Sequence, residues 1–364
     1  MLTIYTGRDF FPSNLPPAVP LLLPWRQDER STAVPGIFDD YLRVAHTIFA
    51  EAPLAAAAVG VLPFSWKYTL HHPPLRESAT EFASRLAAAG KSLIVFFDSD
   101  SVDPVDIPNA IVFRTSGYRS RARRTEFGMP GWGQCVEQPF SPREKKTPVI
   151  GFCGYAPPLG ISMNAIKVKE SVRWALTRTG LNSLLNVHPG YFARVEAIRS
   201  CRRTVGLKTN LVIRSTLSFV VEQDGWGTGR LRTDGGTFQS TFMRNMFESD
   251  YILCTRGFGN YSFRLYEALS CGRIPVFVDT DCLLPFPENP QWRSATLWID
   301  ERDLSVVGKR ITERHTTISP SEFLDWQHQA RRFWEEWLSP AAFFRRLATS
   351  LATMTPDFHK ESSN

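Results

Sequence analysis

The chain is organised around residues Tyr251–Phe286, which read YILCTRGFGNYSFRLYEALSCGRIPVFVDTDCLLPF. The apolar run Tyr251–Cys254 predicts a short buried strand, and Ile274–Val278 predicts a second one. Between them, Ser262–Ser270 is typical of a helix that Gly272 ends, and a glycine-containing loop leads into that helix. Because helix N-termini after glycine loops bind phosphate in α/β proteins, we interpret this stretch as a phosphate-binding unit.

The bulk composition favours a two-domain globular protein with an anionic partner. The 364 residues exceed the usual size of a single hydrophobic core, and 43% hydrophobic with 21% charged residues is typical of globular chains. The formal net charge of +6 is compatible with a nucleotide-sugar, a charged glycan or an anionic membrane surface. The sequence contains no helix-turn-helix, zinc-finger or RNP pattern, so we expect no nucleic-acid partner.

The cysteines and the apolar segments of the sequence indicate the cellular compartment. The six cysteines form no CxxC pair, and several lie inside apolar runs, which is typical of free buried thiols in a reducing compartment. Prolines interrupt Leu15–Pro24, and Ala52–Phe64 is too short to cross a bilayer. We therefore expect a cytoplasmic protein without signal peptide or membrane span, and peripheral membrane contact stays open.

Strand-like and helix-like segments alternate along both halves of the chain, which predicts parallel sheets covered on both faces. The first half contains predicted strands Leu2–Thr6, Ala55–Leu62, Ser92–Phe97 and Asn109–Arg114, and predicted helices Phe38–Phe49 and Ser78–Ala89. The second half contains predicted strands Val149–Cys153, Asn210–Arg214 and Leu297–Ile299, predicted helices Ser162–Arg178 and Gln239–Glu248, and a glycine-rich loop, Gly225–Gly236.

The polar segment Phe140–Thr147 separates the two halves and suggests a domain boundary. A helix that begins near Ser319-Pro320 carries helix-spaced aromatic residues and is predicted to cross back over both domains. The expected organisation is an acceptor-binding domain over 1–145, a nucleotide-sugar-binding domain over 146–320, and the returning helix and tail over 321–364.

The organising stretch closely resembles the core motif of the exostosin family of glycosyltransferases. The matching segments are Arg256-Gly257, Ser262-Phe263-Arg264, Glu267-Ala268-Leu269, Gly272–Val276 and Leu284-Pro285-Phe286. The resemblance implies an α/β protein of GT-B architecture, in which two Rossmann-like domains face a cleft. It also implies inverting transfer of a sugar from a UDP-sugar to a hydroxyl of a glycan or another acceptor.

Two other readings stay open. A GT-B transferase with another donor, such as GDP-fucose, has a similar helix and glutamate at its donor site. A catalytically inactive scaffold would bind nucleotide or glycan through the same residues. The expected partners are thus a nucleotide-sugar and a glycan acceptor, with anionic and lipid-linked acceptors both open.

The donor site should stabilise a departing diphosphate with backbone N–H groups, a helix dipole and guanidinium groups. Arg264 falls in the first helical turn, where a cation is unfavourable unless an anion binds there. The alternatives are a solvated surface arginine and an i,i+3 pair with Glu267. The resemblance implies that Glu267 accepts the ribose hydroxyls. The remaining donor-binding candidates are Arg214, Arg256, Gly257, Gly259, Asn260, Ser262, Gly154 and Tyr155.

An inverting transfer needs a general base, which we expect from the N-terminal domain. Asp98 and Asp100 follow the predicted strand Ser92–Phe97 and are the catalytic candidates, although aspartate after a strand also serves ordinary turns. The basic run Tyr118–Arg124 is a candidate for binding an anionic acceptor.

Two Asp-x-Asp triplets, Asp98–Asp100 and Asp279–Asp281, follow apolar strands. Such triplets hold a divalent metal in another glycosyltransferase architecture, but three residues are a weak signal. We expect no metal site and no required cofactor, with a divalent metal left open.

Overall fold

The computed structural model describes residues 1–12, 15–18, 20–25, 36, 38–133, 140–156, 190–214, 220–223, 229–232 and 237–354. The predicted helix Ser162–Arg178 and Cys135 lie outside these residues, as does most of the predicted loop Gly225–Gly236.

The N-terminal half forms a six-stranded parallel sheet in the order β2-β1-β3-β4-β5-β6. Its strands are β1 (Leu2–Tyr5), β2 (Phe49–Glu51), β3 (Val59–Val61), β4 (Leu93–Phe97), β5 (Ala110–Arg114) and β6 (Glu126–Gly128). Every residue of β4 is buried, as expected for a parallel strand covered on both faces. Strand β3 covers only Val59–Val61, so the predicted strand Ala55–Leu62 is confirmed only over its second half.

Two helices, α1 (Asp39–Ile48) and α2 (Pro73–Ala88), cover this sheet. The α2 helix begins five residues before the predicted start at Ser78, because proline is well tolerated in the first helical turn. In α2, Phe82 and Leu86 are buried, whereas Ala89 is exposed at the helix end. In α1, Tyr41 and Ala45 are buried, whereas Leu42 is 40% exposed.

The C-terminal half forms a five-stranded parallel sheet in the order β13-β12-β11-β7-β8. Its strands are β7 (Val149–Tyr155), β8 (Lys208–Arg214), β11 (Tyr251–Cys254), β12 (Ile274–Asp279) and β13 (Leu297–Asp300). A separate antiparallel hairpin pairs β9 (Val220–Gln223) with β10 (Gly229–Arg232). In the larger sheet the strand order reverses between β7 and β11. Open α/β sheets bind ligands outside the carboxyl ends of the strands at such a reversal.

The helices of this half are α3 (Gly190–Arg203), α4 (Thr237–Phe247), α5 (Phe263–Ser270), α6 (Gln291–Ser294), α7 (Val307–Thr317) and α8 (Pro320–Phe333). The predicted start of α8 is confirmed by a capping box, in which Ser319 and Glu322 bond each other's backbone N–H. A π-helical turn, Trp334–Leu338, separates α8 from the last helix, α9 (Pro340–Met354).

The last helix completes the core of the N-terminal half. Its residues Phe343, Phe344, Leu347 and Leu351 are buried in one cluster with residues of β1, β4 and α1. Helix α8, by contrast, buries Phe323 and Phe333 against the C-terminal sheet. The predicted architecture of two α/β halves, with a chain end that returns to the N-terminal half, is confirmed. The helix that begins at Ser319-Pro320 was predicted to make this return, and that part is wrong, because α8 stays on the C-terminal sheet and α9 crosses back after the π-helical turn. The expected domain limits at 145 and 320 stay a prediction.

No helix in the described part of the chain combines the length and the apolar character needed to cross a membrane.

Candidate functional site

The candidate site lies where β7 and β11 end side by side, a region that we call the switch-point crevice. Arg194 of α3 joins the two strand ends, because its Nη1 donates to the Tyr155 carbonyl (2.6 Å) and its Nη2 to the Arg256 carbonyl (2.9 Å). Its Nε donates to Thr255 Oγ1 at 3.3 Å. Arg194 was missed by the sequence reasoning, since it lies on a helix without a recognisable motif.

The crevice brings together two of the predicted donor-binding residues, Arg264 and Gly154. The Arg264 guanidinium lies over the rings of Phe152 (5.0 Å) and Phe242 (5.6 Å). A Cβ on Gly154 would lie 2.6 Å from Arg264 Nη2, so glycine leaves the room that the guanidinium occupies. The Arg264 Nε is buried and has no hydrogen-bond partner. A buried cationic donor without an acceptor is costly, which indicates a missing anionic partner.

Arg256, a second predicted donor-binding residue, is only 8% exposed. Its Nη1 donates to the Tyr118 hydroxyl at 3.1 Å, so the N-terminal half holds one edge of the guanidinium. Its Nε is buried and has no partner, as in Arg264. The site therefore contains two arginines with unsatisfied donors.

Two other predicted residues end the neighbouring strands. Tyr155 closes β7, and its carbonyl is the acceptor for Arg194. Arg214 closes β8 and hydrogen-bonds the Cys153 thiol. Burial raises the pKa of Cys153, against the opposing effect of the Arg264 and Arg214 charges, so that thiol is protonated at neutral pH.

Glu267 lies one turn into α5 and is 6% exposed. A segment of the N-terminal half covers it, since a Cβ on Gly133 would collide with Glu267 Oε1. The glycine thus allows the backbone at 133 to approach the carboxylate. Its ribose-binding role stays a prediction.

The two loop glycines have different surroundings. The Gly257 N–H donates to the Tyr261 carbonyl at 3.1 Å, and a Cβ on Gly257 would meet no atom of the described residues within 4 Å. A Cβ on Gly259 would lie 2.8 Å from Asp100 Oδ1, and the Gly259 N–H donates to that oxygen at 3.1 Å. Gly259 therefore allows close approach of the N-terminal half, whereas Gly257 stands in open space.

Asn260 is fully buried and holds the loop against other segments. Its Nδ2 donates to the carbonyls of Gly117, Thr280 and Asp281, and its Oδ1 accepts from Thr280 Oγ1 at 2.7 Å. Its amide is thus committed to protein partners, which gives it a structural role beside the predicted donor contact. Ser262 is the N-cap residue of α5, but its side chain makes no capping hydrogen bond.

The predicted bases also lie at this contact between the halves. Asp98 pairs with Lys67 at 2.8 Å. Asp100 accepts a hydrogen bond from the Gly259 N–H at 3.1 Å. Burial and the nearby Asp100 carboxylate raise the pKa of Tyr261, so its hydroxyl stays a donor. The catalytic role of either aspartate stays a prediction.

The second aspartate triplet contacts the N-terminal half. Arg119 Nη2 lies 3.3 Å from Asp279 Oδ2, and Arg119 Nε lies 3.6 Å from Asp281 Oδ1. The Ser120 N–H also donates to Asp281. The part of the chain that the structure describes contains no group of three or more metal-ligating side chains placed to hold an ion.

We call the set of contacts made by Asp100 and residues 116–120 with residues 259–260 and 279–283 the interdomain junction. It also contains an isolated antiparallel bridge between Tyr118 and Cys282. The basic run Tyr118–Arg124 stays a candidate for binding an anionic acceptor. Two of its residues contact the C-terminal half, since Tyr118 accepts from Arg256 and Arg119 pairs with Asp279.

Comparison with known proteins identifies part of this site. Residues 214–314 match the model of the exostosin GT47 domain. The matched range begins at Arg214 and contains Arg256, Arg264 and Glu267, which are among the residues predicted to bind the donor.

Plant and animal proteins are among the curated relatives that match. A probable glucuronosyltransferase 47 A from Physcomitrium patens is 30% identical over 88 residues, which are 24% of this chain and 19% of that protein. A probable β-1,4-xylosyltransferase, IRX10L from Arabidopsis thaliana, is 32% identical over 73 residues, 20% and 18% of the two chains. Exostosin-1 from Drosophila melanogaster is 33% identical over 89 residues, 24% and 11%. The chain thus matches less than a fifth of the length of each relative.

A solved glycosyltransferase from Rickettsia africae ESF-5 aligns over 98% of this chain and 99% of its own, with a TM-score of 0.38 and 9% identity.

Proposed function

We propose that this chain, which carries an exostosin GT47 domain at residues 214–314, is a glycosyltransferase that moves a sugar from a nucleotide-sugar to a hydroxyl of a glycan. The observation that carries this proposal is the half-buried Arg264, whose buried Nε has no hydrogen-bond partner at the carboxyl ends of β7 and β11. A diphosphate would supply the missing acceptor, and arginine binds it with two parallel hydrogen bonds.

The proposed donor is a UDP-sugar. Arg264 and Arg256 would bind the diphosphate, and the open space beside Gly257 would admit its oxygens. Glu267 would accept hydrogen bonds from the ribose hydroxyls. The buried position of Glu267, one turn from Arg264 on the same helix, supports this order of nucleotide groups along α5.

The proposed reaction inverts the anomeric carbon. The acceptor oxygen forms a bond to that carbon from the face opposite the diphosphate, and the bond between the carbon and the diphosphate oxygen breaks. Asp98 or Asp100 takes the hydroxyl proton, and the departing diphosphate keeps the electron pair. Arg264 and Arg256 stabilise the added charge, in place of a divalent cation. We propose no required metal.

The cytoplasm is the proposed location. The five cysteines in the described part of the chain, Cys153, Cys201, Cys254, Cys271 and Cys282, are all free and buried, which supports a reducing compartment. A glycan acceptor, whether neutral, anionic or lipid-linked, is the proposed second substrate.

A catalytically inactive nucleotide-binding scaffold is the second candidate. The observation that favours it is that both candidate bases already have protein partners, since Asp98 pairs with Lys67 and Asp100 accepts from the Gly259 N–H. Such a scaffold would bind the same donor but transfer nothing.

A thermal-denaturation panel of UDP, GDP, UDP-sugars and GDP-sugars, each with and without EDTA, tests the donor. Ligand at about a hundred times its Kd stabilises a protein by about 2.7 kcal/mol. We expect UDP and at least one UDP-sugar to raise the melting temperature with and without EDTA. A shift with GDP alone would contradict the donor, and loss of the UDP shift in EDTA would contradict the metal independence. Release of UDP in the presence of an acceptor separates the transferase from the scaffold.

Gly257→Ala tests the proposed approach of the diphosphate. A Cβ there meets no atom of the described residues within 4 Å, so we expect an unchanged melting temperature for the free protein. If the phosphates pack against this backbone, the methyl group should weaken UDP binding about tenfold, which calorimetric titration measures. The comparison variant is Gly259→Ala, which should lower the melting temperature because its Cβ collides with Asp100. Unchanged UDP affinity in a folded Gly257→Ala protein would place the diphosphate elsewhere.

A further inference from the structure

Tyr118 belongs to the N-terminal half, but its side chain contacts a candidate ligand of the diphosphate in the other half. Its hydroxyl oxygen accepts a hydrogen bond from Arg256 Nη1 at 3.1 Å, across 138 positions of sequence. The Arg256 guanidinium also lies 5.6 Å from the centroid of the Tyr118 ring. One of the two candidate arginines is therefore held by a residue from outside the domain that carries it.

Backbone hydrogen bonds fix the position of Tyr118 on the C-terminal half. The Leu283 N–H donates to the Gly117 carbonyl at 3.1 Å, and the Arg119 N–H donates to the Asp281 carbonyl at 2.9 Å. These two bonds flank Tyr118 and form the isolated antiparallel bridge of the interdomain junction. The place of the Tyr118 hydroxyl is thus set by the junction.

Arg256 is held at its backbone as well. Its carbonyl accepts from Arg194 Nη2 at 2.9 Å, and a Cβ on Gly190 would lie 2.5 Å from the same oxygen. The residue is only 8% exposed. With its backbone fixed by α3 and its Nη1 fixed by Tyr118, the guanidinium is held at both ends.

The bond to Tyr118 uses one particular part of the guanidinium. The Nε–H and one Nη2–H point in parallel along the same edge, and such a pair binds two oxygens of a phosphate at once. Nη1 lies outside that edge, on the side of Cδ. Tyr118 therefore fixes Arg256 and leaves the Nε–Nη2 edge available. The Nε of this edge is the buried atom that has no hydrogen-bond partner.

We propose that Tyr118 is a positioning residue for the nucleotide diphosphate, which holds Arg256 through Nη1 so that the Nε–Nη2 edge binds the phosphate oxygens. This inference rests on the proposed function and adds a condition to it: the donor site is complete only while the two halves are docked at the interdomain junction. A guanidinium without this support has to be ordered when the nucleotide binds, and that ordering lowers affinity.

The test is a double-mutant cycle on UDP affinity, measured by calorimetric titration with thermal denaturation in parallel. Tyr118→Phe keeps the ring and removes the acceptor, so we expect UDP to bind roughly three- to tenfold more weakly at a nearly unchanged melting temperature. Arg256→Ala should weaken UDP by about tenfold or more. The double variant should match Arg256→Ala within about twofold, because Tyr118 acts through Arg256. Arg256→Met, which keeps an apolar stem, replaces alanine in the cycle if Arg256→Ala does not fold.

The matched control is Tyr41→Phe, which removes a buried tyrosine hydroxyl that donates to the Leu21 carbonyl at 2.9 Å within the N-terminal half. It should lower the melting temperature and leave UDP affinity unchanged. Equal weakening of UDP by Tyr41→Phe and Tyr118→Phe would assign the effect to the stability of that half and overturn the inference.

The remaining outcomes separate the inference from the proposed function. Unchanged UDP affinity in folded Tyr118→Phe would overturn the positioning role. So would a double variant in which the two losses multiply, since Tyr118 would then act independently of Arg256. Unchanged affinity in the Arg256 variant would also overturn it, while UDP binding through Arg264 would leave the proposed function standing. A protein that binds neither UDP nor GDP would overturn the proposed function and the inference together.

Discussion

Replacing Arg264 with alanine is expected to lower kcat/KM for the nucleotide-sugar by at least about a hundredfold, while the protein stays folded. Removal of one preorganised donor from a site of developing negative charge typically costs a factor of about 10² to 10³. Arg264 stacks on two rings and has a buried donor without a partner, so its removal leaves no broken ion pair behind. Initial rates of UDP release measure the loss of kcat/KM, and thermal denaturation of the variant shows whether it stays folded.

Two further variants make this result specific to the crevice. Arg293→Ala removes an exposed arginine that stacks on Trp298 at 3.7 Å, on the far edge strand of the sheet, and should leave kcat/KM unchanged. Arg264→Lys keeps the charge but loses the planar fork that binds two phosphate oxygens, so it should recover only part of the rate. A folded Arg264→Ala protein with the rate of the Arg293→Ala control would remove Arg264 from the mechanism.

Asn260→Ala should destabilise the protein by about 3 kcal/mol, because it leaves several buried backbone carbonyls without their donor. The Asn260 amide contacts Gly117 in one half and Thr280 in the other. We therefore expect the substitution to weaken the interdomain junction in particular. Urea denaturation followed by tryptophan fluorescence gives the free energy of unfolding. Limited proteolysis reports whether the halves separate first.

Asn289→Ala is the matched control. Asn289 is also buried, but the Asn289 bonds are local, since its Oδ1 accepts from the Gln291 N–H two residues away. We expect a loss of about 1 kcal/mol there. Equal destabilisation by the two substitutions would show that Asn260 does not hold the halves together.

The donor side of the site could be predicted because its parts are local in sequence. β11, α5 and β12 follow one another within the stretch Tyr251–Phe286, and their predicted bounds agree with the structure to within a residue. Helical geometry alone places Arg264 and Glu267 one turn apart. Periodicity, helix stops and a forty-residue motif therefore specify this part of the fold.

The junction could not be predicted, because its contacts join residues far apart in sequence. The Gly259 N–H bonds Asp100, 159 positions away, and the Asn260 N–H bonds Ser116, 144 positions away. Glycine and asparagine are common in any tight loop. The local sequence therefore does not distinguish a phosphate-binding loop from a loop that contacts another domain. The triplet Asp279–Asp281 is a similar case, since its partner Arg119 lies 160 residues earlier than Asp279.

Helix α9 has a consequence for the synthesis of the protein. It covers part of the N-terminal sheet, and its Phe344 contacts Tyr41 and Phe96, which leave the ribosome about three hundred and about two hundred and fifty residues earlier. At about 5–20 residues per second, the apolar patch on the nascent N-terminal half waits on the order of ten seconds to a minute for its cover. The half that is made first is thus the half whose core is completed last.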